Sequence, residues 1–165
     1  MRIKEIVKLS LLSALLIVQK LVFSFLPNIS LTVFLIILFS KKLNMLENII
    51  VLLIFTVVDN IIMGSFIMMP FIFIGWVFTP IIIKTLFKKA NSPISLSFIS
   101  ILSCLFYVLI MFLFTVIVYK VDPLVYLAND IVFDLILISS SFLSVLWLYK
   151  PVEHIYTVLE RKYYE

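Results

Sequence analysis

Long apolar segments separated by short polar ones make up almost the whole chain. The segments mix Leu, Ile, Val and Phe without the alternation of apolar and polar residues that a barrel strand requires, so they predict helices. Most are close to the ~20 residues that a helix needs to cross the ~30 Å hydrocarbon core of a bilayer. They lie at about 7–26, 29–45, 46–63, 66–87, 94–119 and 125–149.

The polar interruptions carry residues that end helices. Pro27-Asn28 closes the first segment, Met63-Gly64-Ser65 breaks the third, and Pro123 precedes the sixth. After Pro151, apolar residues recur at helical spacing and predict a short amphipathic helix over 152–164 at the inner membrane surface. The pattern therefore predicts one all-α membrane domain over residues 1–165.

Composition excludes most soluble classes. The 165 residues are 64% hydrophobic and 13% charged, whereas an average soluble domain is about 45–50% apolar and about 25% charged. A soluble domain could not cover its surface with so few charges. The net charge of +4 is spread in small clusters between apolar runs, which argues against a nucleic-acid partner. The expected surroundings are a lipid bilayer.

The placement of basic residues favours six spans with both termini in the cytoplasm. In that arrangement eleven of the thirteen Lys and Arg residues lie on the cytoplasmic side, as the positive-inside rule requires. Lys120 then lies outside and Lys20 within a helix. The second segment is the weak one, because its apolar part from Leu31 to Phe39 is too short to span without its flanks. If it does not cross, most of the basic residues move outside.

Several polar residues fall inside predicted helices, where a central acid costs about 2.5–3.5 kcal/mol on insertion scales. With six spans, these polar residues all lie in the outer half of the membrane. Asp130 and Asp134 are four residues apart and share a helix face. A polar cluster that opens outward is what the capture of an external solute requires, and its excess of acids favours a ligand with an amine. The candidate ligand contacts are Asp59, Asn60, Asp130 and Asp134, followed by Trp76, Lys20 and Asn129.

A structural interpretation of the same residues stays open. Asp59 can pair with Lys20 as a bridge between helices, and polar residues are tolerated near the membrane interface. Trp76 is about 15 Å below the outer end of its helix at 1.5 Å per residue, which suits either stacking on an aromatic ligand or core packing. Ser10 and Ala14 form a small-xxx-small pair that lets another helix approach closely, from a partner or from the same bundle.

No enzymatic chemistry is indicated. The chain has no HExxH, GxSxG or phosphate-binding glycine loop. Its one histidine, His154, falls in the predicted tail helix, and its one cysteine, Cys104, falls inside an apolar run. We therefore expect no catalytic residue, no metal and no cofactor.

Four stretches, taken in order, resemble the substrate-binding (S) components of energy-coupling factor (ECF) vitamin transporters. They are the helix from Leu9 to Leu26 ending in Phe25-Leu26-Pro27-Asn28, the segment from Phe55 to Gly64, the run Asp130-Ile-Val-Phe-Asp134, and Leu148-Tyr-Lys-Pro151.

The resemblance implies a six-helix protein of the bacterial cytoplasmic membrane that binds a vitamin or related micronutrient near the outer face. It would dock on a transmembrane coupling subunit served by two cytoplasmic ATPases. In that family an Ala-x-x-x-Ala pair on the first helix contacts the coupling subunit, and the matching positions here are Ser10 and Ala14.

Two other classes stay open. The chain is also similar in length, spans and the Pro-Asn start of its second segment to the small rod-shape-determining membrane protein of bacterial cell-wall synthesis. That scaffold would leave Asp130 and Asp134 unexplained. A subunit that stabilises a larger membrane enzyme is the third possibility.

Overall fold

A computed structural model describes residues 3–26 and 28–164, with side chains as far as residue 162. Within these ranges the chain is helical and contains no strand, which confirms the predicted all-α class. The helices are α1 (Ile3–Val22), α2 (Thr32–Lys42), α3 (Met45–Met63), a 3-10 turn (Phe66–Met68), α4 (Met69–Thr85), α5 (Pro93–Val118) and α6 (Pro123–Tyr164).

In the part of the chain that the structure describes, four helices are long and apolar enough to cross a membrane: α3, α4 with its preceding 3-10 turn, α5 and α6. Their length and composition indicate a multi-pass membrane protein. The first helix has 20 residues but carries four charged ones, Lys4, Glu5, Lys8 and Lys20. The second has only 11 residues, a rise of about 16 Å, which is roughly half the hydrocarbon core. Six complete spans remain a prediction.

The short helix α2 occupies the centre of the bundle. Every side chain from Val33 to Phe39 is at most 5% exposed, and α2 contacts all five other helices. A helix that is apolar on all sides is stable when protein surrounds it. The remaining helices therefore enclose α2, and its length need not match the bilayer.

Gln19 fixes the beginning of α2 against α1. Its Oε1 accepts a hydrogen bond from the Leu31 backbone N–H at 3.0 Å. Its Nε2 donates to Thr32 Oγ1 at 2.7 Å and to the Leu16 carbonyl at 3.0 Å. Both polar ends of this buried amide are thus satisfied, as burial demands.

Gln19→Leu is expected to lower the free energy of unfolding by about 1–3 kcal/mol, because it leaves buried donors and acceptors without partners. Thermal unfolding in detergent measures the change. Val18→Ala, at a neighbouring and exposed position, is the control and should have a small effect. Equal melting temperatures for Gln19→Leu and the native chain would contradict this structural role.

Sharp turns connect α2, α3 and α4. Asn44 and Glu47 form a capping box at the start of α3, with side chain to backbone bonds of 2.7 and 2.9 Å. Gly64 ends α3 in the left-handed conformation (φ 67°), where a residue with a Cβ is disfavoured. These two caps fix the ends of α3, so only a few residues separate α2 from α3 and α3 from the 3-10 turn before α4.

The tail over 152–164 is helical as predicted, but Pro151 does not separate it from the preceding helix. Residues 123–164 form one helix with Pro151 inside it, so 152–164 is a continuation of α6 and not a separate helix. The continuation is held on α2 by Lys42, whose Nζ lies 3.4 Å from Glu153 and 3.1 Å from Thr157 Oγ1. It reaches α1 through Lys8 and Glu160, 3.1 Å apart. These contacts offset the hydrogen bond that a helical proline removes.

The basic residues gather at one end of the bundle, which we call the basic end. Contacts between helices and neighbouring connections define it: Lys84 Nζ donates to the Leu43 carbonyl at 2.5 Å, and Lys41 Nζ donates to the Lys88 carbonyl at 3.0 Å. Arg2 lies outside the described residues. The described members are Lys4, Lys8, Lys41, Lys42, Lys84, Lys88, Lys89, Lys150, Arg161 and Lys162.

Candidate solute-binding cavity

A cavity of about 330 Å³ lies at the opposite end, where α1 ends and α2 begins. Its walls come from all six helices and from the segment that joins α1 to α2. The volume is at the lower end of the ~300–1,000 Å³ typical of small-molecule pockets. The space suits a compact ligand.

Lys20 and Asp59 form an ion pair at the wall of this cavity. Lys20 Nζ lies 2.5 Å from Asp59 Oδ2 and 5.8 Å from the centroid of the Phe55 ring. The Asp59 side chain is 5% exposed and that of Lys20 35%. A carboxylate this buried needs a cationic partner, and Lys20 supplies it while lining the cavity.

Trp76 and Tyr107 form an aromatic wall. Their rings stack with centroids 4.1 Å apart and planes 12° from parallel, and both residues line the cavity. Gly75 permits this arrangement, because a Cβ there would lie 2.8 Å from Tyr107 Cδ2. Trp76 is 5% exposed, so it contributes to the core as well as to the cavity.

The two acids of α6 lie beside the cavity and do not line it. Asp134 precedes the lining residue Leu137 by one turn. Asp130 lies one turn further toward the start of α6.

The two predicted asparagines lie away from the cavity lining. Asn60 is fully buried; its Nδ2 donates to the Thr56 carbonyl at 2.8 Å and its Oδ1 accepts from Ser65 Oγ at 2.9 Å. Those bonds stabilise the end of α3. Asn129 is exposed on α6. Ligand contact by either residue stays a prediction.

Sequence reasoning did not identify the segment between α1 and α2 as part of the site. Ser24, Asn28 and Ser30 line the cavity, and Asn28 adopts a left-handed backbone (φ 58°). Its carbonyl accepts from Ser140 Oγ at 3.3 Å, which ties the segment to α6. Tyr107 was also missed, although a tyrosine in the middle of the apolar α5 was a usable signal.

The small-residue pair on α1 faces away from the bundle. Ser10 and Ala14 are both exposed. The adjacent Ser13 is buried instead, and its Oγ donates to the Leu9 carbonyl at 2.8 Å and approaches the Val51 carbonyl of α3 at 3.5 Å. Packing inside this bundle therefore uses Ser13, and the predicted pair is accessible to a partner.

Within residues 3–26 and 28–164, no three His, Cys, Asp or Glu side chains are grouped so that they could hold a metal ion. The candidate site is built from one ion pair, an aromatic wall and small polar side chains. Comparisons with protein-family models, with curated proteins and with solved structures find no match to this chain.

Proposed function

We propose that the chain is the substrate-capture (S) subunit of an ECF-type importer in a bacterial cytoplasmic membrane. It binds a small amine-bearing micronutrient, a vitamin or a related compound, from outside. A transmembrane coupling subunit and two cytoplasmic ATPases complete the importer. The observation that carries the proposal is the cavity at the end of the bundle opposite the basic end.

Charge supports the orientation. Basic residues accumulate on the cytoplasmic side of membrane proteins, so the basic end is the inner one and the cavity opens outward. In this orientation α1 crosses with Lys4, Glu5 and Lys8 at the inner surface and Lys20 at the level of the cavity. The chain returns inward through the joining segment and α2, which gives six passes and two cytoplasmic termini.

The chemistry of the cavity favours an amine. The aromatic residues Phe55, Trp76 and Tyr107 line it, and aromatic faces attract cations. Asp59, at the wall, offers a carboxylate whose present partner is Lys20. Asp130 and Asp134 place further negative charge beside the opening, which raises the local concentration of a cationic solute.

Delivery requires a surface for the coupling subunit. Ser10 and Ala14 are exposed one turn apart on α1, and small residues at this spacing let a second helix pack closely in a membrane. We expect this part of α1 to contact the coupling subunit.

Copurification tests the proposal. The tagged chain is co-expressed with the coupling subunit and the two ATPases, solubilised in mild detergent or nanodiscs, and recovered. All three subunits should be recovered with the native chain and less of each with Ala14→Leu. Ala128→Leu is the matched control, because Ala128 is exposed on α6 at the cavity end. Recovery of none of the three would overturn the proposal and direct the search to cell-wall partners.

A further inference from the structure

A second and larger space lies at the basic end, open to the side of the bundle. It is a groove of about 700 Å³ between α1 and the last part of α6. One wall carries Val7, Leu11 and Leu15 of α1, and the other carries Ile155 and Leu159 of α6. The buried helix α2 forms the floor. We call this space the lateral groove.

The lateral groove has the length and orientation of one bilayer leaflet. It follows α1 from Ile3 to Leu15, a rise of about 18 Å, whereas one leaflet of the ~30 Å hydrocarbon core is about 15 Å deep. Leu11 and Leu15 on one wall and Ile155 and Leu159 on the other are between 48% and 61% exposed. In a membrane these side chains face lipid, so the groove is open to the hydrocarbon.

Polar residues are confined to one end of the lateral groove. Lys4, Lys8, Tyr156 and Glu160 are the polar members of its lining. Lys4 and Lys8 are one turn apart on α1 and lie on the same face. Two lysines against one glutamate give this end a net positive charge, even with Lys8 bonded to Glu160. This end lies at the inner membrane surface in the orientation that the basic residues favour.

From this geometry we propose that the lateral groove binds one anionic phospholipid of the inner leaflet. An acyl chain lies along α1 and α6 over α2, and the headgroup phosphate accepts hydrogen bonds from Lys4 and Tyr156. Charge-assisted bonds from lysine to phosphate are strong at a surface that partly excludes water. The proposal depends on membrane insertion and not on solute capture, so the two can fail separately.

Native mass spectrometry of the detergent-purified full chain tests the proposal with phosphatidylglycerol and phosphatidylcholine of identical acyl chains. Phosphatidylglycerol should saturate at one molecule per protein and be retained more strongly than phosphatidylcholine. Lys4→Gln should weaken phosphatidylglycerol retention about fivefold, since a surface lysine contributes about 1 kcal/mol toward an anionic lipid. Leu11→Trp, which fills the groove, should reduce the retention of both lipids.

Matched variants test whether lipid retention depends on the groove or on the rest of the protein surface. Lys89→Gln removes an exposed lysine elsewhere at the basic end, and Leu109→Trp enlarges a half-exposed residue of α5; neither should change retention. If Leu11→Trp does not fold, Leu159→Trp fills the groove from its other wall. Equal retention of the two lipids, binding without saturation, or retention unaffected by filling the groove would overturn the proposal. So would occupation of the groove by a copurifying membrane polypeptide in place of lipid.

Discussion

Asp59→Leu is expected to lower the free energy of unfolding by about 2 kcal/mol. Removing one partner of a buried ion pair leaves the other charge uncompensated and typically costs about 3–5 kcal/mol. The loss is smaller here because the Lys20 side chain is 35% exposed and can reorient toward water. Thermal unfolding of the purified protein in detergent measures the change.

The double variant Lys20→Met with Asp59→Leu should recover most of that stability, because apolar residues of similar volume often replace a buried pair without cost. Solute capture should be lost in the double variant, because both charged groups at the cavity wall are gone. Small molecules released from the heated protein and identified by mass spectrometry report capture. A double variant that is stable and still releases the same compound would show that the pair is only a structural bridge.

Gly75→Ala is expected to destabilise the protein by about 1–3 kcal/mol through overpacking. The new Cβ would lie 2.8 Å from Tyr107 Cδ2, so the Tyr107 ring must move. That ring stacks on Trp76 at 4.1 Å, and its displacement changes the aromatic wall of the cavity. We therefore expect a lower melting temperature together with weaker solute capture.

Tyr107→Ala provides the matched test, because it removes the ring that the new Cβ would meet. In the double variant Gly75→Ala with Tyr107→Ala the cost of the methyl group should largely disappear, which gives a coupling energy of about 1 kcal/mol or more. Additive losses from the two single substitutions would contradict a direct clash. The melting temperatures of the native chain, the two single variants and the double variant give this coupling energy.

The spans of the middle of the chain could be predicted closely because local signals mark their ends. The predicted segments 46–63 and 94–119 correspond to Met45–Met63 and Pro93–Val118. Asn44 with Glu47, and Gly64, are caps whose geometry is set by neighbouring residues. Pro93 occupies the first turn of α5, where its missing N–H costs nothing.

The first two segments were harder because their ends depend on tertiary contacts. The predicted 7–26 is observed as Ile3–Val22, and the predicted 29–45 as Thr32–Lys42. Gln19 holds the start of α2 from another helix, which no local pattern encodes. The burial of α2 could not be predicted from the sequence either, because lipid-facing and protein-facing residues are equally apolar in a membrane helix.

The candidate site was predicted in part for a similar reason. A charged residue in an apolar segment stands out, so Lys20 and Asp59 were identified, and they form a pair. Ser24, Asn28 and Ser30 belong to a connection where polar residues are ordinary, and only the fold places them at the cavity. Asn60 is an equally conspicuous polar residue in an apolar segment, but its hydrogen bonds stabilise the end of its own helix.

Cysteine accessibility in intact bacterial cells tests whether the cavity faces outward and the basic end lies in the cytoplasm. In a Cys104→Ser background, Ser24→Cys marks the cavity wall and Lys89→Cys marks the basic end; both positions are exposed. A membrane-impermeant maleimide should label Ser24→Cys in intact cells and Lys89→Cys only after permeabilisation. Labelling of Lys89→Cys from outside, with Ser24→Cys protected until the cells are opened, would contradict this orientation.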